Sequence, residues 1–103
     1  MAKSLIKKDS EIIFTNGSAK GIINVDAISD NFSPGEIVDV NGLKKKGLIP
    51  QDVAYLKVLA GGSIDKPLSV YANDFSLAAV KMIALTGGEA IKIVTMKEKS
   101  SDS

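Results

Sequence analysis

The side chains of this chain that could do chemistry are mainly lysines and hydroxyls. Cys and His are both absent, which excludes disulfides, thiol catalysis, Cys-ligated zinc and the usual general base at neutral pH. All thirteen basic residues are lysines, so bidentate recognition of phosphate by Arg is not possible. No nucleophile or acid–base pair stands out, and we therefore expect neither an enzyme nor a metal or cofactor site.

Anion binding is the chemistry that remains, and the one basic run is its first candidate. Lys44, Lys45 and Lys46 follow one another near the end of a predicted short helix. Ammonium groups there could contact phosphates. Solvated lysines that interact favourably with the helix dipole are an equally ordinary explanation.

Two other segments could offer backbone N–H groups to an anion. The pair Gly61-Gly62 would let a phosphate approach the backbone closely, but it lacks the Lys-Ser/Thr pair of a P-loop. A tight turn that needs a positive φ explains it as well. Ser76 could present its hydroxyl to a phosphate at a helix start, or it could simply cap that helix.

The bulk composition indicates one small domain. A chain of 103 residues with 45% apolar residues and a mean hydropathy of +0.14 supports one compact core. Because aromatic residues make up only 5%, aliphatic side chains between regular elements must form that core, which favours an α/β or α+β domain. No apolar run is long enough for a signal peptide or a membrane span, so we expect a cytoplasmic protein with no membrane partner.

The strands that must position these residues are predicted from short apolar runs and from the alternation of apolar and polar residues. Breakers such as Pro34-Gly35 and Gly87-Gly88 separate them. The last strand, "EAIKIVTM", should place Ile91, Ile93 and Thr95 on one face. The other predicted strands are Ile22–Val25, Val53–Leu59 and Leu68–Tyr71.

The predicted helices follow from capping residues and glycine stops. Asp26 should cap a short helical turn, and Asn73-Asp74 provide cap chemistry before the last helix. Because that helix, "LAAVKMIAL", has Lys81 as its only charge, we expect it to be buried on more than one side. The two longer helices are predicted over Asp39–Lys46, stopped by Gly47, and over Ser76–Thr86.

The domain organisation is simple. Residues 20–96 are predicted to form the globular domain. Residues 1–19 are predicted to be a partly ordered N-terminal arm that is either loosely attached or supplies an edge strand. Residues 97–103 are predicted to be a disordered polar tail.

A longer pattern joins these segments, and it is carried by twelve residues in a fixed order: Lys57, Val58, Leu59, Gly62, Ile64, Leu68, Val70, Phe75, Ser76, Ala79, Ile83 and Gly87. Their order and spacing resemble the signature of the bacterial large-subunit ribosomal protein L15 family. Upstream, "INVDAISDNFSPGEIVDVNGLKKKGLI" is similar to the stretch that precedes this signature. The resemblance covers about residues 20–95 and corresponds to the family's C-terminal globular domain.

The resemblance implies both a fold and a function. The fold is a single small α/β domain, an irregular β-β-α superhelix shared with the L18e proteins of archaeal and eukaryotic ribosomes. The function is that of a non-catalytic RNA-binding component of the large ribosomal subunit, with ribosomal RNA as partner and no cofactor. Phosphates would be contacted by Lys44, Lys45, Lys46, Lys57 and Lys66 and by N–H groups at Gly61, Gly62 and Ser76.

Two departures from the family weaken the expected RNA affinity. Members usually carry a long basic N-terminal extension, whereas only about twenty residues precede the domain here. At the strand-to-helix junction, Tyr71, Asn73 and Leu77 stand where Lys, His and Lys are expected, and Asp74 adds a negative charge. Losing about three phosphate contacts should lower affinity on the order of a hundredfold at physiological salt.

An alternative function is compatible with the same fold. A stand-alone paralogue could act as a protein–protein interaction or self-association module. The apolar last helix and the near-neutral net charge of +1 favour this alternative, because such a helix in a small domain leaves a face for a protein partner or a second copy. Leu77 and Met82 are the candidate interface residues.

Overall fold

The computed structural model describes residues 6–15 and 18–97. No helix in this part of the chain is long and apolar enough to cross a membrane. The elements in chain order are β1 (Ile6–Thr15), β2 (Ala19–Asn24), α1 (Val25–Asn31), β3 (Ile37–Val38), α2 (Val40–Lys45), β4 (Val53–Leu59), β5 (Ser69–Ala72), β6 (Asp74–Phe75), α3 (Leu77–Leu85) and β7 (Glu89–Lys97).

The strands form two parallel sheets between which the chain alternates. Sheet A has the order β1-β7-β5-β3, and sheet B has the order β2-β4-β6. Every neighbouring pair is parallel. Successive strands therefore belong to different sheets all along the described chain, and helices occupy three of the crossings. This winding confirms the α/β class and is consistent with the β-β-α superhelix that the resemblance implied.

One aliphatic core joins the two sheets and the three helices. Leu56 and Val58 of β4, Val70 of β5 and Ile83 of α3 are fully buried within it. Each such side chain stabilises the fold by about 1.5–3 kcal/mol relative to an exposed position. Since β4 buries every second residue in its later half, Tyr55 and Lys57 point away from the core.

Several sequence predictions about elements and stops are confirmed. The strand predicted over Val53–Leu59 has those bounds. Gly47 and Gly87 follow α2 and α3 with φ values of 73° and 92°, in the left-handed region where a helix-ending glycine is favoured. Ile91 and Ile93 are buried on one face of β7, while the side chain of Thr95 lies outside the described residues.

The beginning of the domain differs from the prediction. The predicted strand Ile22–Val25 is observed as β2, which begins at Ala19, and Val25 already starts α1. Asp26 therefore lies in the first turn of α1 and is not its cap. Asn24 occupies the cap position with extended backbone and no side-chain cap hydrogen bond, since its Oδ1 accepts the Gly61 N–H instead.

The N-terminal arm contributes an edge strand, one of the two alternatives left open by the sequence. β1 pairs with β7 from Ile6 opposite Ala90 to Thr15 opposite Lys97, with an irregularity between Lys7 and Glu11. β7 itself ends at Lys97. Residues 98–103 of the predicted tail lie outside the described residues.

The expectation that the last helix is buried on more than one side is wrong. Ala79, Val80 and Ile83 are the buried residues of α3, whereas Leu77 and Leu85 are 72% and 86% exposed. The reason is that α3 packs on β4 and β7 along one side. Its apolar outer side faces solvent.

Candidate nucleic-acid interface

A cluster of three charged side chains joins the two sheets, and we refer to Lys57, Asp74 and Lys92 as the Asp74 cluster. Lys57 of β4 lies opposite Asp74 of β6 in the sheet B register. Its Nζ is 3.8 Å from Asp74 Oδ2, and Lys92 Nζ of β7 is 3.8 Å from Asp74 Oδ1. All three side chains are partly exposed, so solvent screening leaves these pairs little role in stability. Two lysines share one carboxylate, and the cluster keeps a net positive charge.

The negative charge of Asp74 is surrounded by two lysines in the structure. From the sequence, Asp74 was expected to help cap α3 and to add a negative charge that weakens RNA binding. The first expectation is wrong, because Ser76 is the cap residue of α3. In the structure Asp74 holds two lysines beside each other at the junction. Lys92 was missed as a candidate, although its alternation with Ile91 and Ile93 in a predicted strand already indicated a solvent-facing side chain.

Asn73 is a structural residue, and the prediction that it helps to cap α3 is wrong. Its side chain is only 7% exposed. The Leu56 N–H donates to Asn73 Oδ1 at 2.8 Å, and the Asn73 N–H donates to the Leu56 carbonyl at 3.0 Å. Asn73 lies between β5 and β6, where the chain crosses from sheet A to sheet B. It therefore does not cap α3, and its side chain is used inside the protein.

Ser76 provides the cap of α3. Its Oγ accepts a hydrogen bond from the Ala79 N–H at 3.1 Å, and its own N–H donates to the Val58 carbonyl at 2.9 Å. The N–H that the sequence suggested for a phosphate is thus used inside the protein, and the hydroxyl oxygen serves as the cap acceptor. Of the two roles predicted for Ser76, the structure therefore shows that of the helix cap.

The Gly61-Gly62 segment is a turn held by its neighbours. Gly62 has a φ of 81°, as predicted for a turn that requires glycine. The Gly61 N–H donates to Asn24 Oδ1 at 3.1 Å, so this group is not available to an anion. The Asp26 side chain occupies the space that a Cβ at Gly62 would need. A phosphate at this turn would meet the Asp26 carboxylate and be repelled.

Lys46 and Lys66 meet at Phe32, and we refer to these three residues as the Phe32 cluster. Lys46 Nζ lies 4.9 Å from the centroid of the Phe32 ring, a cation–π distance. Lys66 Nζ donates to the Phe32 carbonyl at 3.1 Å, which leaves it only partly free for an RNA contact. Lys45 and Lys46 are exposed, and Lys44 is half-buried. Lys66 therefore lies close in space to the basic run Lys44–Lys46, although it is distant from that run in sequence.

Sheet B presents a further surface that the sequence analysis missed. We define the outer face of sheet B as Lys20, Ile22, Tyr55 and Lys57. The register of β2 and β4 pairs Lys20 with Tyr55 and Ile22 with Lys57. Lys20 Nζ lies over the Tyr55 ring, 5.8 Å from its centroid. The signal was the alternation of Tyr55 and Lys57 with apolar residues in a correctly predicted strand.

The two candidate partner-interface residues differ in their surroundings. Leu77 is largely exposed, whereas Met82 is half-buried and packs against the core. The more exposed apolar companion of Leu77 on α3 is Leu85. Among the described residues, no group of acidic side chains could hold a metal ion.

Comparison with known proteins identifies relatives for most of this chain. The family model described as ribosomal proteins 50S-L15, 50S-L18e and 60S-L27A matches residues 22–91. The matched segment runs from β2 into β7 and contains the Phe32 cluster, Lys57 and Asp74. It ends one residue before Lys92.

Individual curated relatives agree with the family match. A large ribosomal subunit protein uL15 from Syntrophotalea carbinolica is 33% identical over 75 residues, which are 73% of this chain and 51% of that protein. The uL15 proteins of Sulfurihydrogenibium sp. and Geobacter sulfurreducens are 38% and 40% identical over 72 residues, 70% of this chain and 47% and 48% of theirs. The chain thus spans about half the length of these relatives. None of these names supports the alternative of a stand-alone interaction module.

Proposed function

The chain belongs to the family of ribosomal proteins 50S-L15, 50S-L18e and 60S-L27A, and we propose that it is a non-catalytic structural component of the large ribosomal subunit that binds ribosomal RNA. The observation that carries this proposal is the match of the family model over residues 22–91. The relatives are named as large-subunit proteins, and we extend that role to this chain.

The proposed mode of binding is contact with the phosphate backbone. Lysines act as point charges toward phosphates and carry little sequence information. Four lysines fit this role best. Lys45 and Lys46 are exposed, and Lys57 and Lys92 keep a net positive charge around Asp74. Lys44 and Lys66 lie next to them with less exposure. The N–H groups of Gly61 and Ser76 take no part, because each already donates a hydrogen bond within the protein.

Counterion release gives this mode a measurable magnitude. In a plot of the logarithm of affinity against the logarithm of salt concentration, each neutralised phosphate contributes a slope of about −0.9 on a B-form duplex or about −0.7 on a single strand. Four contacting lysines therefore predict a slope of about −3 to −4. This slope is modest, as expected for a chain whose net charge is only +1.

The test combines localisation with salt dependence. The full chain should migrate with the large subunit in a sucrose gradient of native lysate. On a ribosomal RNA fragment, the double variant Lys45→Gln/Lys46→Gln should make the salt slope shallower by about 1.4 to 1.8. Lys81→Gln is the matched control, because Lys81 is exposed on α3 and belongs to neither lysine cluster.

Two results would contradict the proposal. One is migration of the chain wholly in the light fractions of the gradient. The other is an equal slope for the wild-type chain and the double variant, which would show that Lys45 and Lys46 do not contact phosphate.

A further inference from the structure

We propose that the outer face of sheet B binds a single-stranded RNA segment, with one unpaired base stacked on Tyr55 and the neighbouring phosphates held by Lys20 and Lys57. This inference rests on the proposed RNA-binding function. It adds a contact with a base to a mechanism that otherwise consists of contacts with phosphates.

The geometry of the two parallel strands places these side chains on one surface. Lys20 pairs with Tyr55, and Ile22 pairs with Lys57, along β2 and β4. The alternate residues, Ile23, Leu56 and Val58, are buried, so the remaining side chains project to the opposite face of the sheet.

Tyr55 has the exposure that base stacking requires. It is 41% exposed, whereas Phe32 and Phe75 are buried and Tyr71 is half-buried. Among the aromatic side chains that the structure describes, Tyr55 is thus the most open to a ligand. Bases stack on such rings with little regard to sequence, because every base has a π-face.

The charges around Tyr55 favour a nucleic-acid strand as the occupant. Lys20 lies over the Tyr55 ring at 5.8 Å, a long and exposed cation–π contact that a base can displace. The displaced ammonium group stays beside the ring, within reach of an adjoining phosphate. Lys57 lies two residues further along β4, and Asp74 holds Lys92 next to it. Three lysines with one carboxylate complement a phosphate backbone.

An unpaired segment fits this surface better than a duplex does. In an A-form helix the bases are already stacked on each other and their edges lie in the grooves, so Tyr55 could reach only the backbone. A single strand can turn one base onto the ring while its phosphates continue along Lys20 and Lys57. The exposed Ile22, 64% accessible, offers apolar contact to a neighbouring base or sugar.

The intrinsic fluorescence of tyrosine provides a direct probe, because the chain has two Tyr and no Trp. We expect a single-stranded hexauridylate RNA to quench the emission of the full chain. Tyr55→Phe should keep affinity within about twofold and lose most of the quenching, since the ring remains but the fluorophore is gone. Tyr71→Phe is the matched control and should retain the quenching.

Affinity measured with an abasic probe isolates the base contact. Tyr55→Leu should weaken binding of hexauridylate by about 5- to 150-fold, the range for loss of one stacked base. The same variant should bind a hexamer of abasic sites as the wild-type chain does. Urea unfolding midpoints of Tyr55→Phe and Tyr55→Leu should match the wild type, which shows that loss of binding is not loss of folding.

The outcomes separate this inference from the proposed function. If Tyr55→Leu binds both hexamers like the wild-type chain, the stacking site is wrong, and the large-subunit role stands if migration in the gradient persists. If hexauridylate quenches Tyr55 but the chain stays in light fractions, the ribosomal role is wrong and the site stands. If neither hexamer binds and Tyr55→Leu alters the mass of a self-associated species, the surface is a protein contact and the inference fails.

Discussion

The side chain of Asn73 should stabilise the fold without taking part in RNA binding, and the substitution Asn73→Ala tests this. In the wild-type chain, Asn73 Oδ1 accepts the Leu56 N–H at 2.8 Å. Leu56 is fully buried, so its N–H has no contact with bulk water in the wild-type fold. The substitution leaves a buried donor without that partner while the hydrogen bond from the Asn73 N–H to the Leu56 carbonyl remains possible.

The expected loss of stability is substantial for so small a domain. A buried N–H group without its acceptor costs about 1–3 kcal/mol, out of a total free energy of unfolding of about 5–15 kcal/mol. Each kcal/mol corresponds to about 4–8 °C in Tm for a domain of this size. We therefore expect Tm to fall by between about 4 and 24 °C.

The assay is urea denaturation and thermal unfolding of the full chain. Asn41→Ala is the matched control, because Asn41 is exposed within α2, and its free energy of unfolding should stay within about 0.5 kcal/mol of the wild type. The salt slope of RNA binding should be the same for Asn73→Ala and the wild-type chain. A stable Asn73→Ala variant with a changed slope would refute the reasoning, since it would mean that the side chain faces RNA.

Two further predictions concern α3. Ser76→Ala should lower the free energy of unfolding by about 0.5–2 kcal/mol through loss of the cap on the Ala79 N–H and leave the salt slope of RNA binding unchanged; a changed slope with unchanged stability would instead indicate a phosphate contact. Ile83→Ala should cost about 2–5 kcal/mol, whereas Leu85→Gln should change stability by less than about 0.5 kcal/mol. Similar losses for both in urea denaturation would show that α3 is covered on its outer side.

The elements were predictable wherever a local pattern decides them. β4 buries alternate residues in its later half, so its apolar pattern already defined it. Gly47 and Gly87 end helices through a backbone conformation that other residues rarely adopt. The family resemblance, confirmed by the match over residues 22–91, supplied the fold type that local patterns left open.

The site was less predictable because it depends on register between distant segments. "ND" before a helix is the same local signal whether Asn73 caps the helix or crosses between sheets. The contact of Lys57 and Lys92 through Asp74 needs strands from both sheets to be aligned. Of the positions where the family's basic residues are replaced, Asn73 is buried, and the overlooked Lys92 lies beside the neighbouring Asp74.

The pairing of β1 with β7 has a consequence for the order in which the chain can be completed. β1 is made first on the ribosome, but the strand beside it in sheet A is the last of the described elements. Closing so long a loop carries an entropic cost and slows folding relative to local pairing. Until β7 emerges, β1 remains an open edge that can pair with other chains. Synthesis of the last described strand therefore covers one side of β1, while its other side remains the edge of sheet A.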